Sequence, residues 1–185
     1  MKRIITALLV TAAISASAQT VELTDGVYEL KQVVTVEGVN ADALYVRALE
    51  ALSDWSGSQK QSKAQIDVQD KDEGLVVYKG KLYLGLSKVN FMHGWNTMAD
   101  FTMKVRCKDG RFQITTTVPS LSFYWTADDT ETTIPIDEIV PVYKHKTSLT
   151  VKKSANKMAP LVPDAAKAAQ TIVIEKIKKG ADDDF

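Results

Sequence analysis

The side chains best suited to chemistry are few. His93 and His145 are the only histidines and Cys107 the only cysteine. Neither histidine has a second ligand at the short spacings of zinc sites, and a lone histidine in a polar stretch is ordinarily solvated. No G-x-S-x-G elbow and no phosphate-cradling glycine loop occurs. Asp128, Asp129, Glu131, Asp137 and Glu138 crowd one stretch, but not at EF-hand spacing, so a solvated acidic loop is the simpler reading. Carboxylates that act as an acid–base pair can lie far apart in sequence, which leaves an envelope hydrolase open as an alternative. No catalytic residue, metal or cofactor is assigned.

Two other groups of residues could bind rather than react. The first is basic. Asp109-Gly110 suits a two-residue type I′ hairpin between Phe101–Cys107 and Phe112–Val118. Lys108 then opposes Arg111, Cys107 opposes Phe112, Val105 opposes Ile114, Met103 opposes Thr116 and Phe101 opposes Val118. Every apolar side chain of both strands falls on one face, and a slip of one residue would invert this. The opposite face carries Lys104, Arg106, Lys108 and Arg111. Alternation in Leu75–Leu86 points Val76, Tyr78, Leu82 and Leu84 inward and adds Lys79, Lys81 and Tyr83 to the polar side. These cations would suit an anionic partner such as an acidic glycan, a lipid headgroup or an acidic protein; the plain alternative is a solvated sheet face whose lysines oppose aggregation. The second group is aromatic. Trp95, Tyr124 and Trp125 could line a small-ligand pocket at one end of the sheet, or serve as core and edge packing.

The elements that must hold these residues alternate strand-rich and helical patterns. Tyr28–Val36 reads as a strand. Asn40 is a good N-cap for a helix over Ala41–Trp55. There Leu44, Ala48, Leu52 and Trp55 share a face, flanked by Tyr45 and Leu49. Ala64, Ile66 and Val68 alternate inward, and Asp70–Gly74 turns the chain into Leu75–Leu86. After Phe112–Val118, the alternation of Leu121, Phe123 and Trp125 extends the strand past Pro119, and Val140–Val151 offers another strand. Pro163-Asp164 opens a second helix that runs to about Lys179, with Ala165, Ala169, Ile172, Val173 and Ile177 facing the core. The spacing predicts an α+β fold: a mainly antiparallel sheet of five or six strands with two helices packed on one face.

Composition bounds the class. The 185 residues hold 23 basic and 23 acidic side chains, a balance that disfavours general nucleic-acid binding. Lys2 and Arg3 precede an apolar run, Ile4–Ile14, and then Ala16-Ser17-Ala18, the pattern of a cleavable export signal. The run is shorter than the roughly 20 apolar residues that span a bilayer. Cleavage between Ala18 and Gln19 leaves a periplasmic or secreted soluble chain, and since no cysteine follows Ala18, it is not a lipoprotein. Cys107 has no partner for an internal disulfide, and its place in a strand suits a small buried hydrophobe. Residues 1–18 are thus expected to be a signal peptide, 19–180 one domain, and 181–185, ending Asp182-Asp183-Asp184-Phe185, a disordered acidic tail.

The order strand, helix, four strands, helix resembles an exported bacterial family known only as a domain of unknown function with a TATA-binding-protein-like (TBP-like) fold. The residues that carry the resemblance are the signal pattern, Val36-Glu37-Gly38 leading into Ala43-Leu44-Tyr45, and Trp55. They continue with Asp70-Lys71-Asp72-Glu73-Gly74, and with Phe101-Thr102-Met103-Lys104-Val105 leading to Lys108-Asp109-Gly110-Arg111-Phe112. The likeness runs roughly from Val33 to Thr117. It implies a fold and an exported location, and it assigns no activity. Nucleic acid does not follow from the fold name, because function belongs to sites rather than folds. The reading is a non-enzymatic exported module that binds an anionic partner or ligand; a subunit that assembles through an edge strand is a further alternative.

Overall fold

The computed structural model describes residues 22–58, 65–88, 93–128, 130–139 and 149–180. The expected signal peptide, His145 and the acidic tail lie outside these residues. The chain forms strands β1 (Glu22–Thr24) and β2 (Val27–Thr35), helix α1 (Ala41–Ser58), then β3 (Gln65–Asp70), β4 (Leu75–Lys88), β5 (Gly94–Lys108), β6 (Arg111–Trp125) and β7 (Glu131–Pro135). A single helical turn α2 (Ile136–Ile139), helix α3 (Leu149–Met158), a 3₁₀ turn (Ala159–Leu161) and helix α4 (Val162–Lys179) follow.

The architecture is α+β. One sheet runs in the order β1-β2-β6-β5-β4-β3, with β7 also beside β6. Every neighbouring pair is antiparallel. β2 takes the first half of β6, from Arg111 to Val118, and β7 takes Ser120–Tyr124 on the second half. The sheet therefore has seven strands where the pattern predicts five or six; the two additions are too short for alternation to reveal.

The Asp109-Gly110 hairpin holds the expected register from Lys108↔Arg111 to Met103↔Thr116. Its type differs: among the described residues Asp25 is the only non-glycine with positive φ, so Asp109 does not adopt the type I′ conformation. The turn is held instead by the β2–α1 connection. The Val36 amide donates to the Gly110 carbonyl at 2.8 Å, the Gly110 amide to the Val39 carbonyl at 2.9 Å, and the Ala41 amide to Asp109 Oδ1 at 2.8 Å. The type I′ signature appears at β1–β2, where Asp25 and Gly26 have φ of 49° and 80°.

Three bulges set which way each strand faces. Val118 and Pro119 together oppose Phe101, which suits a proline that cannot donate to the ladder. The bulge moves the buried positions of β6 from even to odd numbers, so Leu121 and Phe123 are buried after Ile114 and Val118. In β4 the register shifts between Tyr83 and Gly85. In β3 it shifts at Asp67, which turns Val68, expected inward, to the outer face at 40% exposure.

One face of the sheet is buried by α1, α3 and α4. Leu44, Ala48, Leu52 and Trp55 of α1 are buried as expected. Trp55 stands edge-on to Tyr78 and Phe101, with ring centroids 5.6 and 5.3 Å away. Gly80 makes room for these rings, since a Cβ there would lie 3.0 Å from Tyr78 and 3.1 Å from Phe101. In α4 the buried side is Val162, Ala166, Ala169, Gln170, Val173, Ile174 and Ile177; Ile172, expected inward, is 48% exposed. The strand expected over 140–151 is corrected at its end. Residues 140–148 are outside the description, but Val151 is in α3, where Val151, Ala155 and Met158 recur at helical spacing and are buried. Cys107 is free and buried. None of the helices in the described residues is long and apolar enough to cross a membrane.

Candidate functional site

No described element packs on the outer face of the sheet. Its residues line up in rows through the register of β2, β6, β5 and β4. Thr35, Arg111 and Lys108 form the row at the hairpin end; Val33, Gln113, Arg106 and Leu75 the next; Lys31, Thr115, Lys104 and Val77 the third; Glu29, Thr117, Thr102 and Lys79 the fourth. The first three rows hold Lys31, Lys104, Arg106, Lys108 and Arg111 and no carboxylate between β2 and β4. Lys31 is missed by the sequence reading, because nothing local says that β2 lies beside β6.

Some cations elsewhere on the described surface find carboxylate partners, while others, such as Arg47 and Lys167, have none among the described residues. Lys71 meets Asp42, Lys176 meets Asp54, Lys178 meets Glu175, and Lys79 meets Asp67 at 2.9 Å. Lys31, Lys104, Arg106, Lys108 and Arg111 are exposed and have no ion-pair partner among the described residues. Lys108 and Arg111 even stand directly opposite each other, a like-charge pairing that costs stability. A shallow cavity of about 600 Å³ is lined by Glu29, Lys31, Asp67, Val77, Lys79, Thr102, Lys104, Arg106, Gln113, Thr115 and Thr117. Side chains of five strands bound one volume, so the face is dished. A second depression, of about 310 Å³, opens beside it among Val33, Arg106, Lys108, Arg111, Phe112 and Gln113.

Lys81 stands apart from this group. Its ammonium donates to Tyr124 Oη at 2.6 Å, Glu131 Oε1 at 2.6 Å and Ser122 Oγ at 3.1 Å, and it lies 3.2 Å from Asp100 Oδ1. Burial works against its charge, but the hydrogen bonds it donates to Glu131 and Tyr124 and the nearby Asp100 carboxylate outweigh it, so its pKa stands above the ordinary lysine value. The same contact with Lys81 lowers Glu131, while burial raises Tyr124. Ser120 and Ser122 donate to Asp100 Oδ2 at 2.9 and 2.7 Å. Lys81 is thus the hub of a polar lock between β4, β5, β6 and β7. The sequence hides this, since the pairing of β4 with β5 passes through residues 89–93, which carry no pattern.

The aromatic candidates fall on two faces. Trp95 and Trp125 meet on the helix side with centroids 4.9 Å apart, and Trp95 is 9% exposed. His93 is 5.7 Å from Trp125. Tyr124 points to the other face, into the Lys81 lock. Neither cavity described above is lined by any of the three. Asp129 lies outside the described residues, and the described acidic residues after β6 form no metal-binding group. Asp128 Oδ1 accepts from the Thr130 hydroxyl at 2.6 Å and amide at 3.0 Å, which lowers its pKa; Glu131 binds Lys81, and Asp137 lies against Gly26.

Comparison with known proteins matches residues 31–121 to the family model of a domain of unknown function, DUF4468, with TBP-like fold. Residues 31–121 form a DUF4468 domain. The span runs from Lys31 through α1 to β6 and includes the five cations of the outer face. The chain is similar to the crystal structure of a DUF4468 family protein from Bacteroides ovatus, with a TM-score of 0.63 at 16% identity over 89% of this chain and 93% of that one. A TBP-like protein from Parabacteroides distasonis superposes with a TM-score of 0.57 at 13% identity, over 87% of this chain and 99% of the other. At these identities the likeness concerns the fold. No curated protein matches the sequence.

Proposed function

We propose that this DUF4468 protein is an exported, non-enzymatic module of the bacterial cell envelope that docks an anionic partner on the outer face of its sheet. One observation carries the reading. Five cations without ion-pair partners among the described residues stand side by side on an uncovered, dished face, with no carboxylate in the rows that hold them. Unpaired like charges raise the local potential and attract anions, at some cost in stability. The docking residues are Lys31, Lys104, Arg106, Lys108 and Arg111; Lys79 is neutralised at the rim by Asp67, and Lys81 belongs to the lock. Export rests on Lys2-Arg3, the Ile4–Ile14 run and Ala16-Ser17-Ala18, with cleavage before Gln19.

The state of the Ser122–Lys81 contact beside this face supports the non-enzymatic reading. Ser122 approaches Lys81, but the lysine keeps its proton and the serine is buried and hydrogen-bonded to Asp100. A protonated lysine cannot take the proton that would activate a serine. Binding to envelope fractions tests the function. The native protein is expected to be retained and to be released progressively as salt screens the contact. A Lys104→Glu, Arg106→Glu variant is expected to bind about tenfold more weakly or worse, as the loss of several exposed ion pairs implies. Equal retention of both proteins at all salt concentrations would overturn the reading and turn attention to β3, the edge strand that carries exposed Val68.

A further inference from the structure

We infer that the dished face receives an extended acidic polypeptide segment whose carboxylates fall at alternate positions, laid along β5. This rests on the docking reading above and names its partner. Lys104, Arg106 and Lys108 are successive outward residues of one strand, so their stems are about 6.8 Å apart. An extended polypeptide repeats its own same-side residues at the same interval, so every second side chain can meet a cation without change of pitch. Lys31 and Arg111 flank this row from β2 and β6, within reach of the next carboxylates or the peptide's C-terminus.

The walls and floor agree with that occupant. Half-buried Gln113, Thr115, Thr117 and Thr102 supply both donors and acceptors along the trough, which suits a peptide backbone with its N–H and C=O groups. No aromatic residue lines the larger cavity, and Phe112, which borders the smaller one, is only 1% exposed, whereas single-stranded nucleic acids are commonly held by bases stacked on exposed aromatic side chains. A concave face meets a planar bilayer only at its rims, so a lipid surface would leave the central cations Lys104 and Arg106 unsatisfied. Charge also limits where the peptide lies. Glu29 and the Lys79–Asp67 pair occupy the far row, and Glu29 repels carboxylates there, so the acidic segment is confined to the three rows nearest the hairpin.

The test compares fluorescent 12-residue peptides of equal composition and charge with the purified protein. One alternates Asp with Thr; the other places all its Asp in one block before the Thr. Uronate oligosaccharides and vesicles containing anionic lipid are measured in parallel, and so is the Lys104→Glu, Arg106→Glu variant. The alternating peptide is expected to bind about tenfold more tightly than the block peptide, and the variant to lose that preference. A Lys104→Arg, Arg106→Lys variant, which keeps charge and spacing, is expected to retain it. Equal or tighter binding of the block peptide would overturn the inference, because charge density alone would then explain the affinity. Binding of only the oligosaccharide or the vesicles would overturn it too while leaving the anionic docking face intact. Loss of every one of these interactions would instead overturn the docking reading itself.

Discussion

At the scale of single residues, Asp109 shows how one side chain can serve two elements. Its place before a glycine makes a turn, and its carboxylate also accepts from the Ala41 amide at the start of α1. Asn40 caps the same helix, its Oδ1 accepting from the Ala43 amide at 2.8 Å. Removing one such cap typically costs about 1 kcal/mol. Asp109→Ala is therefore expected to lower unfolding stability by about that much in urea titrations, and Asp109→Asn, which keeps an acceptor, by less. Cys107 shows the opposite use of a reactive atom. Burial pushes its thiol up to about 11, and it is 3% exposed. The thiolate is the reactive form. A thiol reagent at neutral pH is thus expected to leave Cys107 unmodified in the native protein and to label it fully in denaturant; rapid native labelling would contradict this packing.

At the scale of elements, β7 depends on one lysine. It pairs only with β6, and Glu131 at its start reaches across to Lys81 of β4. A glutamate lowered in the folded state adds stability that is present above its unfolded pKa and fades as the pH falls through the lowered value. A lysine raised in the folded state adds stability that is complete below its unfolded pKa and fades only in strong alkali. The lock therefore loosens on the acid side, through Glu131, well before the alkaline side. Lys81→Met would leave Asp100 and Ser122 without their cation, a loss of about 1–3 kcal/mol for a partly buried charged hydrogen-bond network. Chemical denaturation across pH is expected to show that the difference between native protein and variant narrows as the pH drops below the carboxylate range. A constant difference would place the stabilisation outside the Glu131 contact.

At the scale of the whole molecule, the sheet has one face committed to packing and another carrying unneutralised charge. The buried face holds the aromatic and aliphatic core beneath α1, α3 and α4. On the outer face, like charges oppose each other at Lys108 and Arg111. Binding surfaces commonly cost stability in this way. Lys108→Thr is expected to raise stability by a few tenths of a kcal/mol, in the range of cross-strand pair energies, while weakening retention on envelope fractions. A destabilised variant would mean that Lys108 contributes to the fold, and the claim of a functional cost would fail.

The sequence alone was enough for features that depend on near neighbours. Turn chemistry and alternation together set the β5–β6 register near Asp109-Gly110. Helical spacing picked the buried face of α1, and Asn40 its start. The continuation of β6 past Pro119 is also legible in the alternation of Leu121, Phe123 and Trp125, whereas the bulge that shifts its phase is seen only in the pairing with β5. What only the tertiary structure decided is how distant strands meet. β2 beside β6 brings Lys31 into the basic rows, and β4 beside β5 carries Lys81 out of them to Asp100, Ser122, Tyr124 and Glu131. The physical reason is that outward alternation fixes a side chain's face but not its partners. A one-residue bulge at Asp67 or Leu84 reverses even the face, and pairing across long loops is chosen by packing of the whole core rather than by any short stretch of chain.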